Sequence, residues 1–166
     1  MGISVRRATP DDAEVAMAVV RESITRLCVA DHQNDPLTLD LWLRNKTADN
    51  FALWIVNPDN HLVVAEVDSA IGGVACLHRS GEVRLCYVAP DRQRVGIGAA
   101  LLGAVEAQAR AWGLERLVLN STTGARAFYE HHGYTPSGQP ACGIGRSVCF
   151  PYERTLVLGQ NGSSNG

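Results

Sequence analysis

Residues 83–99 carry the strongest chemical signal in the chain. An apolar run ends at Ala89 and Pro90, and Gln93-Arg94-Val95-Gly96-Ile97-Gly98 then opens a stretch of helical periodicity. A strand, a loop and a helix N-terminus in that order point unpaired backbone N–H groups one way, and the helix dipole adds partial positive charge there. Gly96 and Gly98 let a phosphate approach the backbone, so the segment predicts a pyrophosphate cradle. The same glycines also fit a helix entry eased for close packing on a sheet. Two other nucleotide patterns are absent. A dinucleotide fingerprint needs Gly or Ala three residues beyond Gly98, where Leu101 stands; a P-loop needs Gly-Lys-Ser or Gly-Lys-Thr, and the only lysine is Lys46.

The cysteines, Cys28, Cys76, Cys86, Cys142 and Cys149, are odd in number and form no Cys-x-x-Cys pair, which predicts reduced thiols. Cys76-x-His78 lacks the second half of a tetrahedral zinc site, so no metal is expected.

The elements that position the cradle follow from periodicity. A short strand begins at Val5. Thr9 as N-cap, Pro10 at the first helical position and the acids Asp11 and Asp12 then start a helix to about Leu27, with Val15, Val19, Ile24 and Leu27 on one face and Ala16 and Val20 beside them. A polar break, 28–36, precedes two short helical patterns, 37–46 and 47–56, anchored by Trp42, Phe51 and Trp54. Three β-rich runs, 62–67, 73–79 and 83–88, read as an antiparallel meander. A long helix, 96–112, follows with Ile97, Leu101, Leu102, Val105 and Ala109 on one stripe, then a strand over 116–120, a helix over 123–132 closed by Gly133, and a strand pair around Tyr134 and 148–158.

The chain has 166 residues, 46% hydrophobic and 19% charged, the size of one domain with its own core. Its 15 Lys and Arg against 17 Asp and Glu leave no basic excess for nucleic acid. The longest apolar stretches, 51–56 and 99–105, are far short of the roughly 20 residues of a membrane span. Residues 1–7 carry no apolar leader, so a cytoplasmic protein without membrane partners is expected.

Gln93-x-x-Gly96-x-Gly98 after a strand ending Tyr87-Val88-x-Pro90, followed by Ala125-x-x-Phe128-Tyr129-x-x-x-Gly133-Tyr134, resembles the GNAT superfamily of acetyl-CoA-dependent N-acetyltransferases. The resemblance covers most of the chain and suits a small, single-domain bacterial-type member. It implies that backbone N–H groups of Arg94, Val95, Gly96, Ile97, Gly98 and Ala99 grip the pyrophosphate of acetyl-CoA. It also implies that the strand ending at Val88 splays from the strand over 116–120, so that pantetheine pairs with backbone of Tyr87 and Val88 and the Val88 N–H faces the thioester carbonyl. Tyr129 would be the general acid for the leaving sulfur. Its spacing with Ala125, Phe128 and His132 equally suits a core stripe.

Glu82 occupies the register of the glutamate base in the histone-acetyltransferase branch; as part of Ser80-Gly81-Glu82 it equally suits a solvated hairpin tip, and His78 is a lesser candidate base. Many members carry Asn where Thr122 stands, so Asn120 and Thr122 are both candidates for the pantetheine contact, and Arg126 is a candidate for the ribose phosphate. The acids of 31–35 join helices that wall the acceptor side in the family; they either attract a cationic amine or cap a solvated loop.

These readings predict an α/β (α+β) GNAT fold, a central mixed, mostly antiparallel sheet with helices on both faces. The domain spans 1–158, with a disordered polar tail over 159–166. The expected activity is transfer of acetyl from acetyl-CoA, a co-substrate, directly to a primary amine of a small molecule or peptide, without metal. A covalent route through Cys86 is the lesser enzyme reading. The alternative is a non-catalytic acyl-CoA-binding sensor. A homodimer is implied by the frequency of dimers in the family.

Overall fold

The computed structural model describes residues 2–157; the expected tail, 159–166, and the last residue of the expected domain lie outside the described residues. Strand β1 (Ile3–Arg7) leads to a 3-10 turn (Pro10–Asp12) and helix α1 (Ala13–Leu27). The junction is fixed by Asp12, whose carboxylate accepts from the Thr9 N–H at 2.7 Å and from both Arg6 Nη atoms at 2.8 and 2.9 Å. The buried stripe of α1 includes Ala13, Ala16, Val20 and Ile24, whereas Val15, expected on that face, is exposed.

The break after α1 contains a helical turn, α2 (Val29–His32), which its length hid from periodicity. His32 is fully buried, with Nε2 3.1 Å from both the Ile24 and Thr25 carbonyls, and Gln33 ends the turn at φ +53°. Helix α3 (Pro36–Leu43) is capped by Asp35, which accepts from the Thr38 N–H at 3.1 Å, and α4 (Ala48–Val56) by Thr47, which accepts from the Asn50 N–H at 3.2 Å.

Strands β2 (Asn60–Val67), β3 (Ala70–His78) and β4 (Val83–Val88) join β1 in an antiparallel sheet ordered β1-β2-β3-β4. Alternation of side chains gives it two apolar faces. Val63, Ala65, Ala75 and Leu77 pack toward α5 (Ile97–Ala111), whereas Leu62, Val64, Val74 and Leu85 pack with the α1, α3 and α4 residues Ile24, Trp42 and Phe51. A second sheet has the order β5-β8-β6, from β5 (Arg116–Ser121), β6 (Thr135–Pro136) and β8 (Val148–Thr155), and β7 (Ala141–Cys142) pairs with β8. Helix α6 (Arg126–His131) is shorter than its expected span, and β7 is an addition to the expected strands.

One parallel bridge, Glu82 to Val118, links the sheets. The assembly is thus a mixed, mostly antiparallel sheet with helices on both faces, as expected. No helix among the described residues is long and apolar enough to cross a membrane.

The Arg6 guanidinium, aided by the Thr9 N–H, outweighs burial and holds the Asp12 carboxyl down from 3.8 to about 2. The carboxylate therefore stabilises the fold fully above its unfolded value, and the contribution is lost as pH falls through the folded one. Asp12→Asn should lower the melting temperature at about pH 6, with the gap closing as the pH falls to about 2. A gap independent of pH in thermal denaturation would contradict this role.

Candidate active site between the parting strands

The Val118 N–H donates to the Gly81 carbonyl at 2.9 Å, beside the Glu82 to Val118 bridge, and beyond this point β4 and β5 part. Gly81 is required here: its φ is +95°, and an added Cβ would lie 2.7 Å from the Arg116 carbonyl oxygen. Leu77 pairs with Val83 while Cys76 pairs with Leu85, so Arg84 is an extra residue in β4.

That bulge sets which backbone groups face the opening. The Glu82 carbonyl accepts from the His78 N–H at 2.9 Å and the Ala89 N–H donates to the Gly72 carbonyl at 2.8 Å, so both ends of β4 aim at β3. Strict alternation would turn residues seven apart in opposite directions, and the extra residue reverses it. The N–H groups of Cys86 and Val88 consequently face the open side. Tyr87, expected to share the backbone pairing, instead pairs with Val74 of β3.

Between the parted strands lies a cavity of about 730 Å³. Arg94, Gly96, Ile97, Gly98 and Ala99 line one end, Tyr87 and Val88 the β4 wall, Asn120 and Thr122 the β5 wall, and Tyr129 the α6 side. Ten of the twelve expected site residues therefore meet at one cavity. Val95 does not line it and is 51% exposed, because the turn through Arg94 at φ +64° points its side chain to the surface. Glu82 is likewise not among the lining residues. It belongs to the bridge where the strands are still joined, its half-exposed carboxylate 3.4 Å from Arg84.

The Ala100 N–H donates to the Gly96 carbonyl at 3.0 Å, which leaves the preceding N–H groups of Ile97, Gly98 and Ala99 without intrahelical partners at the cavity end. Gly96 enters the helix at φ +95°. Gly98 has a second reason to be glycine: an added Cβ would lie 2.9 Å from Phe128, which packs α6 against the start of α5. Packing thus accounts for Gly98, and the unpartnered N–H groups are the feature that the cradle reading requires.

Tyr129 belongs to the core cluster and also lines the cavity. Burial, with the neighbouring Cys86, raises its hydroxyl well above the ordinary phenol value, so it is protonated at neutral pH. Burial pushes the neighbouring Cys86 thiol up to about 11. On the opposite face of β4, the Tyr87 hydroxyl accepts from Trp42 Nε1 at 3.4 Å.

The resemblance implied that the first two helices wall the acceptor side, and the cavity is indeed lined there by Ser23, Arg26, Leu27 and Cys28, none of which sequence reasoning named as a site residue. Arg126, the candidate for the ribose phosphate, has its guanidinium carbon 4.2 Å above the Phe150 ring and its Nε 3.5 Å from the Tyr152 hydroxyl. His78 faces Ser80 in the hairpin, its Nδ1 2.8 Å from the hydroxyl oxygen. Among the described residues no three His, Cys, Asp or Glu side chains gather into a metal site.

A family model described as an acetyltransferase (GNAT) domain matches residues 41–156. The chain belongs to the GNAT superfamily and carries its acetyltransferase domain. Over 96 residues it is 34% identical to an amino-acid acetyltransferase of Azotobacter vinelandii (strain DJ / ATCC BAA-1303), matching 55% of this chain and 22% of the relative, so it spans about a fifth of that protein's length. Two solved structures share the fold. A GCN5-related N-acetyltransferase from Rhodopseudomonas palustris superposes with a TM-score of 0.83 at 21% identity, covering 94% of this chain and 97% of the other. The PaiA N-acetyltransferase of Thermoplasma acidophilum, in complex with coenzyme A, gives 0.81 at 22% identity, covering 94% and 100%.

Because a thiol reacts as the thiolate, the raised Cys28, Cys76 and Cys86 should resist alkylation, whereas Cys142 is exposed. Iodoacetamide at neutral pH followed by peptide mass mapping should label Cys142 at least about tenfold faster than Cys86. Equal rates would show that Cys86 is an activated thiol.

Proposed function

We propose that this domain transfers acetyl from acetyl-CoA directly to the nitrogen of a primary amine on a small molecule or peptide. One observation carries the reading: a single cavity is bordered by free helix N–H groups, an unpaired strand edge and a buried, protonated tyrosine. The N–H groups of Ile97, Gly98 and Ala99 suit a pyrophosphate, and the outward backbone of β4 suits the amide groups of pantetheine. The name of the Azotobacter relative adds support for an amino-acid amine as one acceptor class.

Acetyl-CoA supplies an activated acyl group as a thioester. The Val88 N–H stabilises negative charge on the carbonyl oxygen as the nitrogen attacks. A carbon–nitrogen bond forms, the carbon–sulfur bond breaks, and the Tyr129 hydroxyl gives its proton to the departing thiolate. The nitrogen attacks as the free amine, its ammonium form having first given a proton to water, and it loses a second proton as the amide forms, while the tyrosine regains its own from water in the cleft. Asn120 and Thr122 hold the opposite wall of the pantetheine channel. Glu82 has no place in this scheme, because it stands where the strands are joined and faces Arg84.

Thiol release from acetyl-CoA should be seen with one or more members of a panel of amino acids, polyamines, aminoglycosides and peptide N-termini. Tyr129→Phe should lower kcat by about 100-fold or more with little change in acetyl-CoA affinity, while Glu82→Gln stays within about twofold. An unaltered kcat for Tyr129→Phe would remove it as the acid. Acetyl-CoA binding with no turnover on any amine would make the domain a sensor.

A further inference from the structure

Among the described residues the cavity is lined by four arginines, Arg26, Arg84, Arg92 and Arg94, and by no aspartate or glutamate. The acids of 31–35, expected near the acceptor, do not line it: Asp31 accepts from Thr123, and Asp35 caps α3. Arg92 and Arg94 stand at the Gly96 end, where the free N–H groups of α5 suit a pyrophosphate. Arg84 stands at the other end, close to the apex where Glu82 bridges to Val118. A ligand laid along the open edge of β4 with its phosphates at Gly96 leads its acyl end from Val88 toward Cys86 and Arg84. The arginine therefore borders the space left for the acceptor.

Arg84 is also the extra residue of the β4 bulge, the kind of position at which a strand re-aims a side chain. Its side chain is half-exposed, and its Nε lies 3.4 Å from the Glu82 carboxylate, farther than the roughly 2.7–2.9 Å of a charge-assisted hydrogen bond. Both Nη groups are left without a protein partner among the described residues. Arg26, on the α1 wall, is by contrast committed to Glu22 through Nη1 at 2.7 Å. A free guanidinium fork is planar and matches the two oxygens of a carboxylate. An amine with further ammonium groups meets only repulsion from the arginines that line the cavity.

We infer that Arg84 determines acceptor specificity, its Nη groups donating to a carboxylate that the acceptor carries beside its amine. The inference rests on the acetyltransferase reading and narrows it: amino acids and other amines bearing a carboxylate are acceptors, and polyamines and aminoglycosides are not. The carboxylate anchors the molecule at the apex end of the cleft, and the amine then faces the thioester between Val88 and Tyr129. Positive surroundings disfavour an ammonium group, so the same arginine that holds the carboxylate favours the free amine that attacks.

The test follows thiol release from acetyl-CoA with the standard amino acids, with their amides, which keep the amine and remove the negative charge, and with spermidine. Wild type should use at least one amino acid about tenfold or more better, in kcat/KM, than its own amide, and better than spermidine. Arg84→Gln should raise KM for that amino acid about tenfold or more and erase its advantage over the amide, with acetyl-CoA affinity held within about twofold. Arg84→Lys, which keeps the charge and loses the fork, should recover part of the advantage. A folding defect would slow amino acid and amide alike and leave their ratio unchanged. Amides or spermidine used by wild type as well as every amino acid would overturn the proposal and leave the acetyltransferase reading standing. An advantage that survives Arg84→Gln would overturn it equally. Thiol release with none of these amines, nor with any other amine, would instead defeat the acetyltransferase reading and the proposal with it, so the two failures are distinguishable.

Discussion

Everything in the candidate site depends on where β4 and β5 stop pairing. The contact between Gly81 and Val118 joins the two sheets at one point, and the extra residue at Arg84 follows within one turn of the pleat. Continued pairing would satisfy the Cys86 and Val88 N–H groups with β5 and leave no cleft. A complete lack of pairing would leave two small sheets with no fixed relation. One bridge followed by a bulge gives a wedge with a fixed apex and an unpaired edge, and unpaired edges are where extended ligands add as strands. The open end is braced rather than free. Asp31 reaches Thr123, and the Arg146 N–H of the β7–β8 turn donates to the Thr38 hydroxyl at 3.0 Å.

The pleat of β4 then separates two kinds of chemistry. Cys86 and Val88 project toward the α5 side, where the protonated Tyr129 packs in the same cluster. Tyr87 projects toward α1 and α3, where Trp42 donates to it. A thioester whose leaving group becomes anionic suits the first environment under the proposed reaction.

The parts of this arrangement that were legible in the sequence are those governed by short-range pattern. The limits of β4 were read as 83–88, because alternation and the following Ala89-Pro90 confine the strand; the glycine spacing 96 and 98 placed the helix start to within a residue. Positions set by distant partners were not legible. Helix α2 has four residues and is held by the ring of His32 reaching back to α1, and the partner of Asp31 is 92 positions away. Glu82 read equally well as a base or a hairpin tip, and its separation from the cavity follows from its bridge to Val118, a pairing that local periodicity does not encode. The packing role of Gly98 depends on Phe128, thirty positions later, lying over it.

The most direct measurement is the heat of binding of acetyl-CoA to the purified protein, with NAD as comparator, since each role assigned above presupposes that the wedge and the α5 terminus take this ligand. Micromolar binding of acetyl-CoA with no binding of NAD is the expected result. Absence of acetyl-CoA binding would contradict the account and reduce the Gly96 loop to a packing device and Tyr129 to a core residue.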